Sequence, residues 1–87
     1  MYIILCYDVG VKRVQRVRKN IKRYLCPIQE SVFEGEITPN NLEHLKTELK
    51  ELIEPDHDSI LIYRLNDPRQ ITREQIGVKL PIPDGFM

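Results

Sequence analysis

One carboxylate and one run of cations carry most of the chemistry this sequence can offer. Asp8 follows Tyr2-Ile3-Ile4-Leu5-Cys6-Tyr7, an unbroken apolar and aromatic stretch, and precedes a turn marked by Gly10. A carboxylate at the end of such a stretch is costly unless it is paired, hydrated or bound to a cation. Alone it does not organise Mg2+, which demands an octahedron of oxygens and keeps several waters. In a two-fold dimer, two copies of Asp8 would face each other and share one ion. Such an ion polarises a phosphodiester and lowers the pKa of a bound water for in-line attack. The competing reading is a carboxylate that caps the turn or the helix after it, the more frequent use of a single acid.

The second signal is basic. No acidic residue occurs from Val9 to Gln29, while Lys12, Arg16, Lys19 and Arg23 fall in one narrow sector of a helix. Arg13, Arg18 and Lys22 flank that sector, opposite an apolar stripe. Like charges at i, i+4 destabilise an isolated helix by roughly 0.2–0.5 kcal/mol per pair. A phosphate backbone relieves them and releases counterions. The alternative is a solvated face neutralised by acids of a second helix or a partner chain. Thirteen basic and thirteen acidic residues cancel overall, but residues 1–24 carry seven basic against one acidic. Residues 25–58 carry two against nine, and 59–87 four against three. A chain polarised in this way can present a basic face to a polyanion despite its neutral total.

Other candidates are weaker. Asp56-His57-Asp58 resembles a metal cluster, yet consecutive residues in an extended segment alternate direction, and no second histidine stands at ligand spacing. Cys6 and Cys26 form no CxxC pair and read as buried structural thiols in a reducing compartment. Tyr2, Tyr7, Tyr24 and Tyr63 read as core rather than as base-stacking platforms. No Gly-rich phosphate loop is present, which argues against a nucleoside-triphosphate enzyme.

These residues must be positioned by a small frame. At 87 residues and 10.3 kDa the chain makes one domain, too short for a Rossmann enzyme, a barrel or a two-lobed catalyst. A domain of this size buries a modest share of its surface, so a second copy or a metal is expected to help stabilise it. Hydrophobic residues at 41% and charged ones at 30% are a globular balance. The apolar run at 2–7 is too short for a bilayer and lacks the basic flank of a secretory signal, which points to a cytoplasmic protein without membrane contact.

Residues 2–7 read as a central strand covered on both sides. Residues 12–25 read as a helix with Val14, Val17, Ile21 and Leu25 on one stripe, stopped by Pro27. Residues 28–37 are β-rich, as one bent strand or two short ones, and Gly35 marks a bulge or a close backbone approach. Thr38-Pro39 starts a second helix with Leu42, Leu45, Leu49, Leu52 and Ile53 inward, and Pro55 closes it. Residues 59–65 form another strand. Two βαβ-like halves point to a ferredoxin-like sandwich of the α/β (α+β) class, with both helices on one face of an antiparallel sheet. Because strands 2–7 and 60–63 look buried on both faces, a second copy is expected to cover the other face in a homodimer. The domain occupies residues 1–65. In the tail, 66–87, Ile76-Gly77-Val78 is expected to add a short strand to an open edge across the dimer, while Pro81 and Pro83 keep the end extended.

The chain resembles the small CRISPR-associated protein of the spacer-acquisition machinery, the second-numbered of the core pair. The matching features are the opening strand ending in Tyr7-Asp8-Val9, the basic helix with Arg13 and Arg16, the segment Gln29-Glu30-Ser31-Val32-Phe33-Glu34-Gly35, and Asp58-Ser59 leading into Tyr63-Arg64-Leu65. The resemblance covers residues 1–65. It implies a ferredoxin-like homodimer, in some members a metal-dependent nuclease acting on single-stranded RNA or duplex DNA. In others the dimer is a non-catalytic scaffold that bridges copies of the CRISPR integrase subunit. Asp8 matches the aspartate assigned to metal binding and catalysis, and Tyr7, Arg13 and Phe33 match positions with supporting roles. Two departures stand out: Gly10-Val11 in place of acidic residues, and Leu25-Cys26-Pro27 in place of a helix-ending glycine. The expectation is a nucleic-acid-binding dimer of CRISPR adaptation, with Mg2+ shared by the two Asp8 and nucleic acid held by Lys12, Arg13, Arg16, Lys19 and Arg23. A related stand-alone RNA-cleaving toxin is the further alternative.

Overall fold

Alternation along the first strand decides which side of the sheet receives the helices. The computed structural model describes residues 1–78, in which β1 (Tyr2–Asp8), α1 (Val14–Ile21), β2 (Cys26–Gln29), β3 (Val32–Glu36), α2 (Pro39–Leu52) and β4 (Ser59–Leu65) follow in order. The sheet runs β2-β3-β1-β4 with every neighbouring pair antiparallel. Ile3, Leu5 and Tyr7 point from β1 toward the helices. There they pack with Val17, Ile21 and Leu25, with Phe33, and with Leu42, Leu45 and Leu49 of α2. Both helices therefore cover one face, and the architecture is the ferredoxin-like α+β sandwich. No helix among the described residues is long and apolar enough to cross a membrane.

The second helix and the last strand lie where periodicity places them. The Thr38 side chain accepts from the Asn41 N–H at 3.1 Å, and Pro39 occupies the first turn, where its missing N–H costs nothing. The first helix is shorter than residues 12–25. Its start is delayed because Gly10 C=O accepts from the N–H groups of Arg13 and Val14 in a tight turn, at 2.9 and 3.1 Å. Its end comes before Pro27, as Arg23 N–H and Tyr24 N–H tighten onto Asn20 and Ile21 carbonyls. Pro27 sits inside β2, an edge strand that tolerates a residue without a donor. Residues 28–37 resolve into two strands joined through Glu30-Ser31, with the register shift on β2 between Pro27 and Gln29. Gly35 is a close approach: a Cβ there would lie 3.3 Å from Leu25 Cδ2.

Tyr2, Ile4, Cys6 and Asp8 point to the opposite face, beside Val32 and Glu34 of β3 and Leu61 and Tyr63 of β4. Leu61 and Tyr63 are each 53% exposed, so Tyr63 is not the core residue its strand context suggests. Cys26 is likewise exposed and Cys6 half-buried, both free thiols, because the helices leave this face uncovered. Part of the face is closed from the tail. The Arg73 guanidinium meets Glu34, with Nη1 to Oε1 at 3.0 Å, and the Tyr2 hydroxyl donates to the same carboxylate. Burial pushes the Glu34 carboxyl up, but the bonds from Arg73 and Tyr2 outweigh it and hold the group below its ordinary value. Ile76 and Val78 are exposed and belong to no strand within this chain. Pro81 and Pro83 lie outside the described residues.

Candidate carboxylate site and nucleic-acid interface

Asp8 is the last residue of β1, exposed, and opposite Ser59 in the final pair of the β1–β4 ladder. It shares the open face with Ile4, Cys6, Leu61 and Tyr63, at the end of the sheet where the β2–β3 turn also lies: Tyr7 N–H donates to Ser31 C=O at 3.1 Å. The residue types explain the placement. Alternation that sends Ile3, Leu5 and Tyr7 inward sends Asp8 to the uncovered side, where a carboxylate keeps its hydration.

Tyr7 and Phe33 lie under the site on the helix side, both buried, with ring centroids 6.1 Å apart. The Tyr7 hydroxyl donates to Glu30 C=O at 2.7 Å. Arg18 donates to the same carbonyl at 2.6 Å and lies over the Phe33 ring at 5.3 Å, a cation–π distance. These three residues hold the β2–β3 turn against α1, and they reach Asp8 only through the backbone.

The residue whose role the sequence does not disclose is Asp58, a wholly buried carboxylate one position before Ser59. Its Oδ1 accepts from Gly10 N–H at 2.9 Å and from Arg13 Nη2 at 2.9 Å. Its Oδ2 accepts from Arg13 Nε at 2.6 Å and from Glu54 N–H at 2.8 Å. The Arg13 guanidinium, helped by the two backbone donors, holds Asp58 well below the usual carboxylate range. A turn at Pro55 aims the side chain inward, since His57 N–H and Asp58 N–H both donate to Glu54 C=O. The only local signal was Asp58-Ser59 at the start of a strand, and an acid before a strand is ordinarily solvated.

Asp56 and His57 stay exposed while Asp58 is occupied, so the Asp-His-Asp triplet does not converge. Among the described residues no group of three His, Cys, Asp or Glu side chains could hold a metal ion. Asp8 by itself offers the oxygen donors that Mg2+ takes, as one of the one or two carboxylates such an ion uses. That single carboxylate does not by itself complete such a site.

The seven basic residues of the first segment divide into two sets. Arg13 is held by Asp58, Arg18 by Glu30 C=O, and Arg23 by Glu48 at 3.0 Å, where the Tyr24 hydroxyl also donates. Lys12, Arg16, Lys19 and Lys22 are exposed and form no ion pair among the described residues. Lys19 and Lys22 line an open groove along α1 with Gln15 and Arg18.

The family described as CRISPR associated protein Cas2 matches residues 1–73. The CRISPR-associated endoribonuclease Cas2 of Thermococcus kodakarensis is 48% identical over 85 residues, covering 97% of this chain and 98% of that protein. Its counterpart in Thermotoga maritima is 39% identical over 87 residues, all of this chain and 99% of that one. The solved structure of Streptococcus pyogenes Cas2 superposes with a TM-score of 0.76 at 33% identity, over 88% of this chain and 100% of that chain.

Proposed function

The chain belongs to the Cas2 family of CRISPR-associated proteins, and from that premise we propose that it acts in CRISPR adaptation as a nucleic-acid-binding homodimer that hydrolyses phosphodiesters with Mg2+ at its paired Asp8 residues. The observation that carries this reading is Asp8 itself: an exposed carboxylate ending a buried strand, on the same open face as Leu61 and Tyr63. Two copies that bury this face against each other bring their Asp8 side chains toward the symmetry axis. The relatives named endoribonucleases support the same reaction class.

Each part of the chain has a share in the work. Lys12, Arg16, Lys19 and Lys22 take phosphates of a single-stranded RNA or a duplex DNA and fix the strand by charge. Asp8 presents its oxygens where the scissile phosphate arrives, and the turn at Glu30-Ser31 borders that place. Tyr7, Phe33 and Arg18 keep the turn from shifting. A divalent ion, when bound, supplies polarisation of the phosphoryl oxygen and a more acidic water.

A second reading is favoured by one observation. Asp58, the acid beside Asp8's ladder partner Ser59, is fully engaged by Arg13, Gly10 and Glu54, and no group of three metal-ligating side chains occurs among the described residues, while four cations stay free of ion pairs there. On that reading the dimer is a scaffold that positions duplex DNA beside the CRISPR integrase subunit. Cleavage of RNA and duplex DNA with and without Mg2+, compared between wild type and Asp8→Asn, tests the first reading. Metal-dependent cutting lost in the variant supports it, and equal cutting by both contradicts it. Spacer acquisition that survives Asp8→Asn but fails on charge reversal at Arg16 and Lys19 supports the scaffold.

A further inference from the structure

A buried carboxylate with four donors on it, outside the residues assigned to the reaction, asks for an explanation. Asp58 accepts from Gly10 N–H, Glu54 N–H and two nitrogens of Arg13. Those donors belong to three separate segments: the turn after Asp8, the start of α1 and the exit from α2. The residue after Asp58 is Ser59, the ladder partner of Asp8. Asp58 thus holds the chain on both sides of Asp8, two residues beyond it at Gly10 and directly across the ladder at Ser59.

Gly10 is fixed at both of its polar groups. Its N–H goes to Asp58, and its C=O takes the Arg13 and Val14 N–H groups that begin the helix. The guanidinium also packs closely over Gly10: a Cβ there would lie 2.6 Å from Arg13 Nη2, so the flexible end of Arg13 has to shift to admit a side chain. Arg13 is in consequence turned away from solvent phosphates, its side chain only 26% exposed.

We propose that Asp58 is the positioning residue of the Asp8 site: by gripping Gly10 N–H and the Arg13 guanidinium, it sets the turn that fixes where the Asp8 carboxylate stands. This rests on the assignment of Asp8 as the reactive carboxylate. Asp58 touches neither substrate nor ion; it acts through the backbone of residues 9–13.

Two variants test it without altering Asp8. Asp58→Asn turns one acceptor oxygen into a donor that opposes its former partners, and Gly10→Ala shifts the Arg13 guanidinium while leaving the Asp58 carboxylate intact. Both are compared with wild type below their melting temperatures, in RNA cleavage with Mg2+ and in a Mn2+ titration followed by paramagnetic broadening of the Asp8 and Val9 amide signals. The expected result is kcat reduced at least about tenfold. KM should stay within about twofold, as befits a residue that does not bind substrate. Half-broadening at Asp8 should also need several-fold more Mn2+. Folded variants with a lowered melting temperature but wild-type kcat and Mn2+ response would make Asp58 a stabilising residue only and overturn the proposal. If Asp58→Asn does not fold, Gly10→Ala decides. If Asp8→Asn cuts as well as wild type, the nuclease reading fails, and the Mn2+ titration alone decides the positioning role. Absence of broadening at Asp8 in the wild type contradicts both.

Discussion

Arg73 and Glu34 meet on the face of the sheet that the helices leave open, Nη1 to Oε1 at 3.0 Å, with the Tyr2 hydroxyl on the same carboxylate. The tail therefore closes one end of this face over Tyr2 and leaves Leu61 and Tyr63 uncovered at the other. Arg73→Ala strips a buried carboxylate of its cation and should cost about 2 kcal/mol, the scale of a hydrogen bond to a charged group. Chemical denaturation of the variant measures it; an unchanged midpoint would mean that the contact adds nothing.

The uncovered part of the face predicts the oligomer. Wild type should run at twice the 10.3 kDa of one chain in light scattering. A charge at Leu61 or Tyr63 has to be desolvated in that interface, so Leu61→Asp should shift the protein to the single-chain mass without loss of fold. A variant that stays dimeric would place the interface elsewhere.

The division of the cations predicts a salt dependence. Each neutralised phosphate contributes roughly 0.9 to the slope of log affinity against log salt on duplex DNA. Replacing Arg16 and Lys19 by Gln should therefore lower the slope by about two. Arg23→Gln should leave it unchanged, because Arg23 already faces Glu48 at 3.0 Å. Equal effects from all three residues would contradict the division.

Much of this frame is legible in the residue pattern, for physical reasons that also mark where legibility ends. The apolar stripe from Leu42 to Leu49, with Thr38-Pro39 before it, specifies α2 because cap, first turn and buried face all agree. Ser59–Leu65 likewise follows from a run of branched residues. Lys12 and Pro27 mislead as helix limits because short backbone turns, at Gly10 and at residues 22–24, bound the helix inside the apolar and basic pattern. Asp8 stands out because a lone acid interrupts apolar alternation. Asp58 does not, since its side-chain partner Arg13 and the Gly10 N–H lie 45 and 48 residues away and nothing near it in sequence announces burial. Long-range partners likewise hide the fate of Arg13 and Arg23, which lie in or beside the sector of the free cations and differ from them in what the other half of the fold brings alongside.

Acid should erode stability through Asp58 and Glu34. Both carboxyls sit below their ordinary values in the folded chain, so the unfolded chain takes up protons first as pH falls through about 4. The stability they contribute is complete above that pH and is lost as pH drops toward their folded values. Asp58→Asn removes its share, so the gap in melting temperature between wild type and variant should be widest near neutrality and narrow toward pH 3. A gap that stays constant would show that Asp58 ionisation does not matter to folding.

The most direct test of the paired-carboxylate account is anomalous diffraction from crystals grown with Mn2+. The account predicts one strong peak on the two-fold axis of a dimer joined through the open sheet faces, between the two Asp8 side chains and lost in Asp8→Asn. A dimer joined through its helices, or a peak remote from Asp8, would contradict it.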